Sequence, residues 1–335
     1  MVNRQVLLAS RPTAIPQVGH FSLVEAPIPE PGANELLVRN LFLSVEPAMR
    51  GWLADVGNYS AQVEIGAVMR SLAVGRVERS NDPDYRPGEL LLGWFGWQDW
   101  AAVPAASIVR RIEETDLPPS LALGILGLNG VTASLALELI GQPRAGETVI
   151  VSTAAGSVGS VVGQLAMRAG CRAVGITGGP DKKRRCVDLF GYDAAIDYKA
   201  EALDEAIAAA APDGVDVYFD NTAGAISDAV LRHLNVGARI VICGTASVSS
   251  WNPPPTGPRV ERHILTKRAH MQGFVIFDHM DRFGETAATL ADLVREGALA
   301  YEEDVLDGIE HCPGAIARLY EGRNSGKLIV RLAEG

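Results

Sequence analysis

The densest run of residues able to do chemistry is VIVSTAAGSVGSVVGQLA (149–166). A β-branched apolar stretch enters Ala154, Gly156, Gly159 and Gly163 and leaves as a helical pattern. In a strand–turn–helix setting this is a dinucleotide fingerprint with Ala at the first glycine position. A small residue at 154 permits the tight turn. Gly156 lets the backbone approach a pyrophosphate, and Gly159 lets the helix pack on the strand. The helix N-terminus offers N–H groups and a positive dipole to the phosphates. Ala154, Ala155, Gly156, Ser157, Val158 and Gly159 are therefore candidate cofactor contacts; the alternative is a tight turn with a packing role only.

The next apolar strand, AVGIT (173–177), has no acid at its end to hold a ribose hydroxyl. Gly178, Gly179 and Pro180 follow, then Asp181 and four bases, Lys182, Lys183, Arg184 and Arg185. Such a cluster suits a phosphate on the adenosine ribose, which favours NADP over NAD. The competing reading is a solvated helix start. Tyr198, Asn221 and the turn Cys243-Gly244-Thr245 follow three further apolar runs. They sit where ligands bind, outside the carboxyl ends of parallel strands. Each could equally be an ordinary turn residue or a half-buried cap on the sheet.

Other chemistries lack their residues. The first 170 positions contain no Cys and one His, His20, while His263, His270, His279 and His311 are irregularly spaced. No metal site is expected from these. There is no HExxH or GxSxG, and GRNSGK (322–327) is too short for a P-loop and is followed by Leu328.

These residues need elements to position them. The first 120 residues read as β-rich, with short apolar runs such as ELLVRNLFLSVEP (35–47) between Pro- and Gly-marked turns. LALGILGLNGVTASLALELIGQ (121–142) has helical spacing. From 148 to 243 short Val- and Ile-rich strands alternate with helical stretches, as a doubly wound parallel sheet requires. WNPPPTGPR (251–259) reads as a loop, and KLIVRL (327–332) as a strand that rejoins the N-terminal part. RIVICG (239–244) is a candidate exposed sheet edge, open to pairing across a two-fold axis.

The chain has 335 residues, enough for about two domains. Its 40 acidic against 30 basic residues speak against nucleic-acid binding. No apolar run reaches the roughly 18 residues of a membrane span. Four cysteines, expected as free thiols, and no recognisable export signal imply a cytoplasmic setting.

Taken together, LSVEPAMRGW (43–52), GAVMR (66–70), LLGWFGWQDWA (91–101), 130–166, GYDAAIDYK (191–199), DVYFDNTAG (216–224), VICGTAS (241–247), MQGFVIFD (271–278) and GRNSGKLIV (322–330) carry a resemblance over nearly the whole chain. The chain resembles the zinc-independent medium-chain dehydrogenase/reductases, in particular the prostaglandin, 2-alkenal and curcumin reductases. The resemblance implies an α/β protein: a GroES-like β-barrel substrate domain over 1–125 and 296–335, and a Rossmann NADPH-binding domain over 126–295. It implies NADPH-dependent saturation of the carbon–carbon double bond of an α,β-unsaturated ketone or aldehyde. Hydride goes to the β carbon and a proton to the α carbon. A homodimer is implied as well.

Carried over to this sequence, the resemblance gives Lys182 or Lys183 the ribose phosphate, a one-residue ambiguity, with Tyr198 beside it. Asn221, Cys243, Gly244, Thr245 and Ser247 would line the nicotinamide ribose. Phe274, Val275 and Ile276 would meet the nicotinamide, Thr132 its carboxamide, and Asn324 the cofactor. Tyr59 would donate its hydroxyl to substrate; its alternative is loop packing. Two departures stand out. HILTKRAHMQGF (263–274) lacks the Tyr that some relatives carry there, with Thr266 in its place. Asn129 replaces the family's usual Pro and is either a donor to a substrate carbonyl or a helix cap. A flat, aromatic-lined cleft from Trp94, Phe95, Trp97 and Trp100 would suit a quinone as well as an enone. Quinone reduction and a non-catalytic NADPH-binding sensor are the competing functions. Those four aromatics have barrel core as their plainer reading.

Overall fold

The computed structural model describes residues 2–248 and 253–332. Trp251 and Asn252 of the Pro-rich segment fall outside that range, and 253–259 carry no regular structure. In chain order, β1 (Asn3–Leu8), β2 (Phe21–Ala26), β3 (Glu35–Ser44), the short helix α1 (Met49–Leu53), β4 (Ala73–Ser80), β5 (Leu90–Gly93), β6 (Trp100–Pro104) and β7 (Ile108–Arg111) come first. The helix α2 (Leu128–Ala136) leads into a repeating βα segment. Its strands are β8 (Thr148–Ser152), β9 (Arg172–Thr177), β10 (Ala194–Asp197), β11 (Val215–Asp220), β12 (Leu234–Ile242) and β13 (His270–Gly273). Between and after them lie α3 (Gly159–Arg168), α4 (Pro180–Asp188), α5 (Leu203–Ala210), α6 (Gly224–Val230), α7 (Glu261–Lys267) and α8 (Phe283–Arg295). The chain ends with β14 (Glu303–Asp307), α9 (Cys312–Tyr320) and β15 (Lys327–Arg331).

Two compact units result, one from 1–124 with 303–335 and one from 125–302. The chain re-enters the first unit at Glu303 rather than at 296, because the residues after α8 pack with the second unit. Gln164 on α3, for example, bonds both ways with the Ala300 backbone, at 2.9 and 2.7 Å.

In the first unit the sheet order is β14-β15-β3-β4-β5-β7, with β6 also on β3 and β1–β2 as a separate hairpin. KLIVRL does rejoin the N-terminal part: β15 runs antiparallel to β3 and parallel to β14. Val6, Leu36, Val38, Leu43, Trp52, Phe95 and Trp97 fill the core. The Trp97 indole N–H donates to the Ser44 carbonyl at 3.0 Å. Phe95, Trp97 and Trp100 are thus buried core, while Trp94 is half-buried, 5.8 Å edge-on from Trp52.

The second unit is a parallel sheet of order β10-β9-β8-β11-β12-β13. Its inner strands are apolar on both faces because helices cover both: β8 is buried throughout, and Ile150, Val174, Ile196, Tyr218 and Ile240 belong to one core. RIVICG is not an edge. β12 is flanked by β11 and β13, and the sheet ends at β10 and β13. The predicted long helix over 121–142 is also broken. A 3-10 turn covers Pro119–Leu123, α2 starts at Leu128 and a π-turn closes it at Leu137–Gly141.

Candidate nucleotide and substrate site

Strand order reverses between β8 and β11, where the chain leaves β8 for β9 on one side and later reaches β11 on the other. A crevice at such a switch point is where α/β sheets take ligands. The turn after β8 is tight: Thr153 adopts φ +55°, and Gly156 N–H bonds the Thr153 carbonyl at 2.9 Å. A Cβ on Gly159 would stand 2.3 Å from the Thr153 carbonyl oxygen, and one on Gly156 2.9 Å from the Thr153 side chain. Both glycines are therefore required sterically. The third, Gly163, faces Tyr192, whose ring a Cβ would meet at 2.0 Å. That buried phenol donates to the Gly159 carbonyl at 2.6 Å and so pins the first turn of α3. The first amides of any helix lack intrahelical acceptors, and α3 starts at Gly159, directly after this glycine turn. The residues present fit a pyrophosphate.

The opposite lip is built by a network that sequence reasoning missed. Asp220, fully buried at the end of β11, accepts from Thr222 N–H and Ala223 N–H through Oδ1, each at 2.8 Å. Ser152, at the end of β8, receives the Asn221 N–H on its hydroxyl at 2.8 Å and the Asn221 side-chain amide on its carbonyl at 2.7 Å. Asn221 thus bridges the two central strands across the switch point. Gly244 packs on it so closely that a Cβ would stand 2.8 Å from the Asn221 carbonyl. Ser247 donates to the Thr222 carbonyl at 2.8 Å. Burial, with the Asp220 charge, pushes the Cys243 thiol up to about 12: the sulfur is desolvated although the residue as a whole is half-buried. Cys243 therefore stays a neutral thiol and packs rather than reacts. Thr245 is exposed beside it.

At the far end of β9, Gly179 takes φ +100° and its N–H bonds Asp197 Oδ1 at 2.8 Å. Asp197, 5% exposed, also accepts the Lys199 N–H at 3.1 Å and fixes the loop that presents Tyr198. Tyr198 is 42% exposed, and its ring lies 3.0 Å from where a Cβ on Gly178 would be. Lys182 and Lys183 occupy the first turns of α4. The Lys183 ammonium is 2.8 Å from Glu201 Oε1, and that hydrogen bond holds the Glu201 carboxyl below its ordinary range. Asp181 pairs with Arg184 at 2.8 Å.

On the other side of the sheet order, Phe274 N–H bonds the Ile242 carbonyl at 3.0 Å, which carries Phe274, Val275 and Ile276 off the end of β13. The Phe274 ring stacks on His279 at 5.0 Å. Thr132 is half-buried on α2, and Asn129 is its second residue; Gly127 holds the N-cap place, so Asn129 is not a cap. Thr266 donates back to Arg262 of its own helix at 2.7 Å and is exposed, a poor stand-in for a substrate donor. Two candidates belong to the first unit. Tyr59, 58% exposed, lies in the loop after α1, and Asn324, before β15, donates to the Gly326 carbonyl at 2.9 Å. Among the described residues no group of three or more His, Cys, Asp or Glu is arranged to hold a metal ion.

Residues 4–110 match the family model described as the N-terminal domain of oxidoreductase, and 157–294 the one described as zinc-binding dehydrogenase. The chain is 40% identical to an NADPH-dependent curcumin reductase of Escherichia coli, covering 99% of this chain and 97% of that one. It is 34% identical to an NADP(+)-dependent 2-alkenal reductase of Nicotiana tabacum, covering 99% and 98%. A crystal structure of CurA from Vibrio vulnificus in complex with NADPH superposes with a TM-score of 0.93 at 40% identity, covering 99% and 100%.

Proposed function

The chain belongs to the medium-chain dehydrogenase/reductase family, in the group of the curcumin and 2-alkenal reductases, and from that premise we propose that it reduces the carbon–carbon double bond of α,β-unsaturated ketones or aldehydes with NADPH. The observation that carries this reading is the end-to-end likeness to reductases of that kind, joined to a β8–α3 turn in which Gly156 and Gly159 have no room for a side chain.

Bound reduced nicotinamide would supply hydride to the β carbon. The rest falls to the chain. Lys182 or Lys183, with Tyr198, would receive the ribose phosphate. The 154–159 turn would receive the pyrophosphate. Asn221 and the 243–247 turn would line the nicotinamide ribose, while Thr132, Phe274 to Ile276 and Asn324 would complete the cofactor contacts. The carbonyl oxygen gains negative charge as hydride arrives, so it needs a preorganised donor. Tyr59, 58% exposed as a residue, is that donor in our reading, and Asn129 is the second donor. We extend the reading to a zinc-independent enzyme, supported by the lack of a ligand cluster among the described residues. It would act in the cytoplasm, consistent with four free thiols, as a homodimer; the mostly exposed end strand β13 offers an edge for pairing.

The test follows NADPH absorbance with simple enones, alkenals and quinones, with NADH in parallel. Oxidation with enones and a product heavier by two hydrogens supports ene reduction. Turnover of quinones alone would replace it.

A further inference from the structure

We propose that Arg70 forms an anion-binding arm next to Tyr59, so that the enones this chain prefers carry a carboxylate. The proposal rests on the reading of Tyr59 as the donor to the enone carbonyl. Arg70 lies in the first unit, three residues before β4. Its guanidinium carbon stands 4.6 Å above the ring of Trp52, which is 2% exposed and itself braced edge-on by Trp94. One Nη2–H donates to the Ser60 hydroxyl at 2.8 Å. Indole and hydroxyl together fix the plane of the guanidinium.

What this cation lacks is an acid. Among the described residues no carboxylate pairs with Arg70. Elsewhere in the same unit Arg4, Arg79, Arg110 and Arg111 each hold one, at 2.8, 2.6, 2.9 and 3.2 Å. The chain carries 40 acidic residues against 30 basic ones, so acids are not scarce. Burial lowers the pKa of Arg70, and the one group opposing that shift is the Tyr59 phenol. A guanidinium stays charged through such a shift. It presents five N–H donors and uses one on a neutral partner. A half-buried, oriented and uncompensated fork of this kind matches a carboxylate, whose two oxygens take two parallel N–H bonds. Ser60 follows Tyr59 in the chain and the Tyr59 phenol acts electrostatically on Arg70, so a carboxylate held by Arg70 would lie on the side of the donor proposed for the enone carbonyl.

The test measures kcat/KM for a series of enones with a terminal carboxylate on tethers of increasing length, each beside its methyl ester. The expected result is a preference for the acid of about tenfold at the best tether. Arg70→Gln should bring that ratio to about one, and Arg70→Lys should keep part of it. A ratio near one at every tether in the parent protein, or the same ratio in Arg70→Gln, overturns the proposal. A second measurement needs no turnover: hexanoate titrated against tryptophan fluorescence, which Trp52 should report. A saturable change in the parent, absent in a folded Arg70→Gln, supports the anion site. No saturable change overturns it. Hexanoate binding without reduction of any enone would remove the catalytic reading and leave the arm standing. Enone reduction without discrimination or hexanoate binding would do the reverse.

Discussion

The ammonium of Lys183 sits 2.8 Å from Glu201, so a ribose phosphate bound by Lys183, as proposed, would have to compete with a carboxylate for it. The sequence displays the bases at 182–185 plainly, but Glu201 lies 18 positions away, and only folding of β9 and β10 side by side brings it to α4. Lys182→Ala with Lys183→Ala should raise the KM for NADPH by at least about tenfold and the KM for NADH by less than twofold, since charge-assisted contacts to a phosphate are among the stronger hydrogen bonds. Equal rises would remove the phosphate role. Glu201→Gln offers the complementary test: if Lys183 is the phosphate ligand, freeing it should lower the KM for NADPH and leave NADH alone. Tyr59 is decided by kcat. Tyr59→Phe should cut enone turnover by about tenfold or more with little change in the KM for NADPH, because its hydroxyl is asked to act only as oxyanion charge grows. Unchanged kcat would return Tyr59 to loop packing. The residues that sequence reading did not reach, Asp220, Ser152 and Asp197, carry no motif. They are single polar residues at strand ends, and their role exists only through the backbone amides of the loops after β9, β10 and β11 that fold onto them.

Strands β8 to β11 and the second half of β12 were legible as short apolar runs, most clearly β8, which is buried throughout, and the β8–α3 turn because its glycines answer to sterics. The first half of β12, with Asn235 and Gly237, carries no such run. β13 was not legible as a strand: HMQG (270–273) is a polar, mostly exposed edge, so nothing in its composition demands pairing. Without β13, RIVICG looked like the edge. The 121–142 stretch misled for a different reason. A Cβ on Gly130 would stand 1.8 Å from the Ile125 carbonyl oxygen, so the backbone folds back on itself there and the helix cannot run through. The element-scale prediction concerns Gly163. Its Cβ would overlap the buried Tyr192 ring, whose hydroxyl holds the start of α3. Gly163→Ala should therefore destabilise by about 1–3 kcal/mol through overpacking and weaken NADPH binding through the displaced helix start. Gly163→Ala with Tyr192→Phe separates the two effects. It restores neither if ring volume is the cause, and a recovery of stability would show that the hydroxyl, not the ring, was strained. An unaltered thermal midpoint in Gly163→Ala would show that the packing described is not tight.

At the scale of the molecule, the first unit is built from two separated stretches of chain, and its sheet closes only when β14 and β15 return beside β3. The point of departure and the point of return are tied directly: Ser120 donates to Glu303 Oε2 at 2.9 Å. Nearby, the Lys327 ammonium is buried and bonds Glu46 Oε1 at 2.5 Å, the Ser44 hydroxyl at 2.7 Å and the Val45 carbonyl at 3.1 Å. That pair is matched, but Glu303 is not. Burial raises its pKa, against the opposing pull of the Ser120 hydroxyl and of the Lys327 charge. The folded protein therefore holds this proton to higher pH than the unfolded chain does. The stability it contributes is complete below the ordinary carboxyl value of 4.5 and is lost as pH rises through the raised folded value. The seam thus holds a buried carboxyl whose charged form is disfavoured by burial. Glu303→Gln keeps the shape and an acceptor for Ser120 while removing the charge. It should raise the thermal midpoint at pH 7 by about 2–4 °C, the shift expected for about 1 kcal/mol in a unit of this size. The advantage should shrink steadily as pH falls toward 4.5, where the parent carboxyl is itself neutral. A constant advantage at every pH would mean that burial of charge at Glu303 is not what the seam resists, and a lower midpoint at pH 7 would mean that its charge stabilises Lys327.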